Sequence, residues 1–208
     1  MIYFIVTTSL INDDFEIRKQ EYVSGISKLI NLTKNIKGSS IIIVENNGKR
    51  DTFLDFFDSR DNVKIHYTNN NSLHTKSKGI KEFNDIMDVI QFFNIQDSDF
   101  VVKITGRYIL NDDSQFLNII QNYNNNIHCI IKYGSYFKPV NYKMEDCITG
   151  LIGMMVFYIK QIDRTNETPI EWEWAKVSLL IQDIHLCIIH DKMGLNLKTV
   201  GDKVFTLV

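Results

Sequence analysis

The sequence predicts an α/β fold: a mostly parallel central sheet with helices on both faces, and a C-terminal third of α+β character. Three observations predict it. Short continuous apolar runs recur through the first two-thirds of the chain, and they read as strands buried on both faces. Amphipathic helical stretches separate these runs, and a βαβα alternation builds parallel sheets through right-handed crossovers. The chain has 208 residues, 44% of them apolar and 23% charged. Those are the proportions of one ordinary domain whose core needs no disulfide or metal staple.

The elements follow in order. Residues 2–8, Ile-Tyr-Phe-Ile-Val-Thr-Thr, form the first strand. Asn12-Asp13-Asp14 offers helix caps and acidic residues for a first turn. Phe15, Val23, Ile26, Leu29 and Ile30 then recur at helical spacing to about Ile36, and Lys37-Gly38 stops the helix. Residues 40–44 form a second strand, 51–57 a short helix and 63–67 a third strand. Ile80, Phe83, Ile86, Met87, Ile90 and Phe93 make one apolar stripe on a helix over 78–93. Residues 99–104 form a fourth strand, 114–123 a helix and 127–133 a fifth strand. After a polar connection over 138–146, residues 147–159 read as one long apolar strand interrupted by Gly150 and Gly153. A helix over 170–180 holds both tryptophans, and 196–200 and 204–208 are closing strands.

Composition narrows the function classes. A net charge of −2 excludes a generally basic nucleic-acid binder. No run approaches the roughly 18 apolar residues of a membrane span, and no signal peptide is evident, so a cytoplasmic location is expected. Cys129, Cys147 and Cys187 form no CxxC pair and leave an odd thiol, which fits a reducing compartment. The sequons at Asn31, Asn70 and Asn166 then carry no meaning. The chain has 31 Ile, 20 Asn and 18 Lys but one Ala and five Arg. This skew follows AT-rich codons, of viral or other AT-rich genomes, and makes each retained Arg, Gly and Trp more informative.

Ligands of open α/β sheets bind at the carboxyl ends of the strands. That rule selects Thr7-Thr8-Ser9, Glu45-Asn46, residues 68–72 and Thr105-Gly106-Arg107-Tyr108. Lys76-Ser77-Lys78-Gly79 opens the long helix on the same rim, where a helix N-terminus with two lysines suits an anionic group. The sharpest motif is Lys103-Ile104-Thr105-Gly106-Arg107-Tyr108. Its glycine permits close approach or a positive φ, its guanidinium can take phosphate oxygens bidentately, and Tyr108 can stack or donate. The plain reading of the same residues is a tight turn with a surface arginine.

The opening Ile-Val-Thr-Thr, Glu45-Asn46 after strand two, and a fourth strand followed by Ile109-Leu110-Asn111-Asp112-Asp113 resemble a GT-A, Rossmann-like glycosyltransferase. The nearer resemblance is to small bacterial and giant-virus glycosyltransferase-like proteins carrying Lys-Ile/Leu-Thr-Gly-Arg-Tyr. The resemblance implies one GT-A-like domain over 1–208, with a nucleotide-binding half at 1–110 and an acceptor-side half at 111–208. It implies transfer of a sugar from a UDP- or GDP-linked donor to a hydroxyl of a glycan or glycoconjugate. Thr7, Thr8, Glu45, Asn46, Lys78, Thr105, Arg107 and Tyr108 would bind the donor. Such enzymes end strand four with Asp-x-Asp, which holds a divalent metal; here that position reads Thr105-Gly106-Arg107. No cofactor is therefore expected, with Mn or Mg left open and Asp112 and Asp113 as fallback ligands. The same two aspartates also read as a helix N-cap pair.

Asp97-Ser98-Asp99 has the metal-binding pattern but precedes strand four. It therefore lies a strand length, about 17 Å, from the binding rim, and reads as a solvated turn. Glu171-Trp172-Glu173-Trp174 is the second candidate constellation. Sugar transfer to a hydroxyl needs a base, and a Glu opening a helix near the rim can supply it. Trp172 and Trp174 offer apolar faces to sugar C–H groups. The plain alternative is a dipole-complementing Glu beside two core tryptophans. Similar enzymes place an acidic residue at such a helix start, so Glu171 and Arg107 are the expected catalytic residues. The histidines show no metal spacing, and His66 reads as a core or edge residue. No glycine-rich loop follows the first strand, which disfavours a nucleotidyltransferase, and no GxGxxG follows any strand. A non-catalytic nucleotide- or sugar-binding domain derived from such an enzyme is the alternative.

Overall fold

The computed structural model describes residues 1–11, 15–60, 62–75, 77–164, 168–197 and 206–207. The expected caps at 12–14, Lys76, the sequon Asn166 and most of the two closing strands lie outside the described residues. The strands are β1 (Ile2–Thr8), β2 (Ser39–Glu45), β3 (Val63–Tyr67), β4 (Phe100–Thr105), β5 (Ile109–Leu110), β6 (Cys129–Ile131), β7 (Tyr133–Ser135), β8 (Lys138–Val140), β9 (Leu151–Met155), β10 (Leu186–Ile188), β11 (Leu195–Leu197) and β12 (Thr206–Leu207). The helices are α1 (Phe15–Thr33), α2 (Asp55–Asp58), α3 (Lys78–Phe92), α4 (Gln115–Gln121), α5 (Val156–Ile159) and α6 (Ile170–Ser178).

Seven strands form the central sheet in the order β10-β6-β9-β4-β1-β2-β3. Every neighbouring pair is parallel except those made by β9, which runs antiparallel to both β4 and β6. Alternation along β1 sends Phe4 and Val6 into a core with Ile26, Leu29 and Phe116. It sends Ile5 into a second core with Phe83, Ile86, Val89 and Trp174. Helices thus cover both faces, and each fully buried Ile or Phe contributes about 1.5–3 kcal/mol.

The structure departs from the sequence reading in several places. α1 ends at Thr33, whose hydroxyl bonds the Leu29 carbonyl, and Gly38 turns the chain at φ 71° into β2. Its buried stripe includes Tyr22 rather than Val23, which is exposed. The long apolar run over 147–159 is three pieces: a turn at Thr149-Gly150, the five residues of β9, and the helical turn α5. The segment expected as a polar connection contains β8, the return arm of a hairpin with β7. The edge strand β10 was not expected; it lies parallel to β6. Because β9 is reversed, its start rather than its end reaches the rim where β1, β2 and β4 finish.

Candidate functional site

The turn after β4 is held by close backbone contact. The Gly106 amide donates to the Thr7 carbonyl at 3.0 Å, and the Tyr108 amide closes the turn onto the Thr105 carbonyl at 3.0 Å. A Cβ on Gly106 would lie 2.9 Å from a Val6 methyl, and one on Gly25 of α1 would lie 2.4 Å from the Gly106 carbonyl oxygen. Gly106 has no positive φ, so close approach is its role. The turn is clamped between β1 and α1, and it presents Arg107 half-buried with its guanidinium carbon 5.1 Å from the centre of the Tyr108 ring.

Beneath the rim lies an ion pair missing from the sequence-based list. Lys103, 3% exposed, sits 3.0 Å from Glu82 of α3 and donates to the Thr149 carbonyl at 2.6 Å and to the Thr105 hydroxyl at 3.0 Å. Glu82 also accepts from the hydroxyls of Thr7 and Thr105. Thr149 in turn donates its hydroxyl to Glu171 of α6 at 3.3 Å. A continuous polar chain therefore runs Thr7–Glu82–Lys103–Thr149–Glu171 across the carboxyl ends of the sheet. The sequence signal was a lysine interrupting the apolar run of β4, opposite a glutamate beside the stripe of α3.

A second knot lies toward β3. Glu45 is fully buried and accepts from the Thr8 hydroxyl (2.9 Å), the Leu10 amide (3.1 Å), Asn47 (2.5 Å) and Arg50 (2.9 Å). Asn46 donates to buried Asp85 at 3.1 Å, which also accepts from Thr68 (2.6 Å) and Asn70 (2.9 Å). Burial pushes the Asp85 carboxyl up to about 7, against the pull of those three donors.

These contacts correct the expected roles. The side chains of Thr7, Thr8, Glu45 and Asn46 are buried and bonded within the protein, where they shape the rim. Tyr108 is 7% exposed and packs its ring edge on Gly150, and burial raises its hydroxyl. Thr105 and Arg107 are half-buried on the rim, and Lys78 is exposed at the first turn of α3. Trp174 is 2% exposed and meets Phe83 edge to face at 5.8 Å, so it is a core residue and not a sugar platform. Trp172, 49% exposed, is available. Glu171 is half-buried, while Glu173 is buried against Thr168. Gly79 brings the starts of α3 and α6 together, since a Cβ there would lie 2.4 Å from an Ile170 methyl.

Among the described residues, the side chains at this rim do not assemble a divalent-metal site. The position after β4 carries a guanidinium, and Glu82 beneath it is paired with Lys103. The fallback aspartates fare no better: Asp112 is exposed and pairs with Lys28 at 2.5 Å, and Ser114, not the Asp pair, caps α4 by accepting from the Leu117 amide. No cluster of three or more metal-binding side chains occurs among the described residues. Asp97 pairs with Lys160 and Asp99 with the Met1 amino group, at the opposite ends of the strands. His66 lies half-buried against Phe92 and Phe93, as an edge residue.

Hollows flank the sheet among the described residues, and two of them are well formed. The larger, about 620 Å³, lies at the amino ends of the strands among Met1, Gly38, Ile120 and Tyr123, away from the polar chain. The smaller, about 290 Å³, lies beside Glu171 and Trp172. No helix among the described residues is long and apolar enough to cross a membrane.

No protein-family model matches the chain, and no curated protein matches its sequence. Solved structures do match in shape. A 4-diphosphocytidyl-2C-methyl-D-erythritol synthase superposes with a TM-score of 0.59 at 11% identity, over 95% of this chain and 92% of that one. S. aureus TarS 1–349 gives 0.58 at 12% identity, over 93% of this chain and 59% of that one; the chain spans 36% of the longer TarS chain. TarS has also been solved with UDP and with UDP-GlcNAc. A mannosyltransferase of Pyrobaculum calidifontis, in complex with GDP-Man and Mn2+, gives 0.54 at 7% identity, over 90% of this chain and 56% of that one. The chain thus has the fold shared by GT-A-type glycosyltransferases and nucleotidyltransferases.

Proposed function

We propose that the chain is a nucleotide-sugar glycosyltransferase that moves a sugar from a UDP- or GDP-linked donor to a hydroxyl acceptor without a divalent metal. The observation that carries the reading is the polar chain from the β1–β4 rim to Glu171. It sets a carboxylate of the acceptor half directly beside the strand ends where nucleotides bind in this fold. In the reaction the acceptor oxygen attacks the anomeric carbon while the bond from that carbon to the diphosphate breaks. The leaving diphosphate takes the electron pair, and Glu171 takes the acceptor proton. Charge grows on the diphosphate as it leaves, and Arg107 on the clamped turn meets it, with Lys78 at the start of α3 adding a second positive group.

The nucleotidyltransferase reading shares the fold but wants a glycine-rich loop after β1; this chain has Thr8-Ser9-Leu10-Ile11-Asn12 there. The test is hydrolysis of a panel of nucleotide sugars with and without EDTA. Turnover that survives EDTA is expected. Arg107→Ala should cost about 2–4 kcal/mol of transition-state stabilisation, and Arg107→Lys should restore part of it, because the planar fork is lost. Turnover abolished by EDTA and restored by manganese overturns the metal-free assignment. Nucleotide binding with no turnover of any donor favours a non-catalytic binding domain instead.

A further inference from the structure

The hollow of about 290 Å³ beside α6 has a composition that selects a ligand class. Its lining includes Ser135 and Tyr136 of the β7–β8 hairpin, Asp146 and Cys147 of the segment before β9, and Glu171 and Trp172 of α6. Trp172 is 49% exposed, although its sequence neighbours Glu173 and Trp174 are buried. Two carboxylate residues and two hydroxyl-bearing residues thus line it beside one open indole. Among the described residues no Lys, Arg or His contributes to the lining, so the side chains that line it carry acceptor oxygens without a cation among them.

Each feature points the same way. A pyranose has an apolar C–H face that packs on an indole and a rim of hydroxyls that donate to carboxylates. A phosphate, carboxylate or sulfate would face two like charges with no cationic partner in the hollow. The space lies at the small end of small-molecule sites, the scale of a single ring and not of an extended chain. The walls are fixed from behind. Tyr136 packs its hydroxyl against Gly150, where a Cβ would lie 2.7 Å away, and burial among Tyr108, Glu82 and Glu171 pushes that hydroxyl well above its ordinary range. The Cys147 thiol donates to the Glu171 carbonyl at 3.2 Å, and the Gly134 amide donates to the Asp146 carbonyl at 2.9 Å. One face of the Glu171 residue therefore belongs to the rim chain through Thr149, and another lines the hollow.

We infer that this hollow is the acceptor subsite and that it takes a neutral pyranoside, stacked on Trp172, with one hydroxyl at Glu171. The inference rests on the glycosyltransferase reading for the word acceptor, but the sugar site itself is testable without a donor. The experiment is saturation-transfer NMR on the full chain with methyl pyranosides: gluco, galacto, manno, N-acetylglucosamine, and glucuronate as the anionic control. Transfer to the ring C–H protons of at least one neutral glycoside is expected, with the glucuronide silent. Trp172→Ala, a change at an exposed position, should weaken binding about tenfold or more. Asp146→Asn should relax the exclusion of the glucuronide. Silence across the neutral panel, transfer unchanged by Trp172→Ala, or a glucuronide bound as well as the neutral sugars would each overturn the inference. Parallel titration with UDP and GDP separates the two readings. Nucleotide binding without sugar binding removes the subsite alone, whereas sugar binding without nucleotide binding removes the transferase reading and leaves a saccharide-binding site.

Discussion

The two sides of the rim treat their polar groups in opposite ways. On the β1–β2–β3 side, Glu45, Asn46, Asp85 and Glu82 are each bonded to two or more protein groups, and the loops after the strands are knotted together. On the α6 side, Glu171 receives one side-chain hydrogen bond, at 3.3 Å, and Trp172 stands half exposed. The difference teaches that a carboxylate at a strand end can be scaffold. Internally saturated groups hold a shape; the groups left partly open are the ones suited to chemistry.

The comparison breaks most visibly at Lys103. Lys103→Met leaves Glu82 below the rim without its cation and should destabilise the fold by about 3 kcal/mol, the low end for breaking a buried pair because Glu82 is 27% exposed. That lowers the melting temperature by about 2–4 °C per kcal/mol. Lys103→Met with Glu82→Leu should recover more than half of the loss. Calorimetry on the two single variants and the double checks this, and additive losses would mean that the two side chains are not coupled.

Next in size is Glu171→Gln. It should lower turnover about 10²-fold while donor affinity stays within a few-fold and the melting temperature barely moves. Steady-state kinetics and nucleotide titration read the two apart. A stability loss as large as that of Lys103→Met would place Glu171 with the scaffold.

The smallest effect is one of pH. The Asp85 carboxyl is raised from 3.8 to about 7 in the folded chain, so the folded state holds its proton more tightly than the unfolded state does. Stability from this group is fully present below about pH 4 and is lost as pH rises toward 7. Melting temperature should decline across that window, and the decline should flatten in Asp85→Asn. A variant with an unchanged slope would assign the dependence to other groups.

Much of this architecture was legible in the sequence, because a parallel sheet buried on both faces writes itself as continuous apolar runs. β1, β2, β4 and the stripe of α3 were readable for that reason. The break at 147–159 was not, since apolar composition is shared by a turn, a strand and a helical turn buried together. The strand-end rule gathered these residues on one rim, but it could not tell which of their side chains are bonded within the protein. Pattern places a residue at an edge and says nothing of whether its oxygens are already occupied, as at Glu45. Trp174 and Trp172 differ by two positions on one helix, and only the packing of Phe83 tells core from surface. Lys103 stood in the sharpest motif without a role and Glu82 was not singled out, because their partnership spans two elements.

The reversed strand β9 also governs the order in which the molecule can be made. Without it, β4 offers an open edge of almost wholly apolar sequence, Phe-Val-Val-Lys-Ile-Thr, the kind of edge that pairs with another chain. β6 cannot cover that edge, because it meets β9 and not β4. A nascent chain must therefore extend past Met155 before the middle of its sheet closes, and β5 waits longer still for β11. Any fragment cut near residue 110 would carry β1 to β4 with a sticky flank, and its fate is set by aggregation.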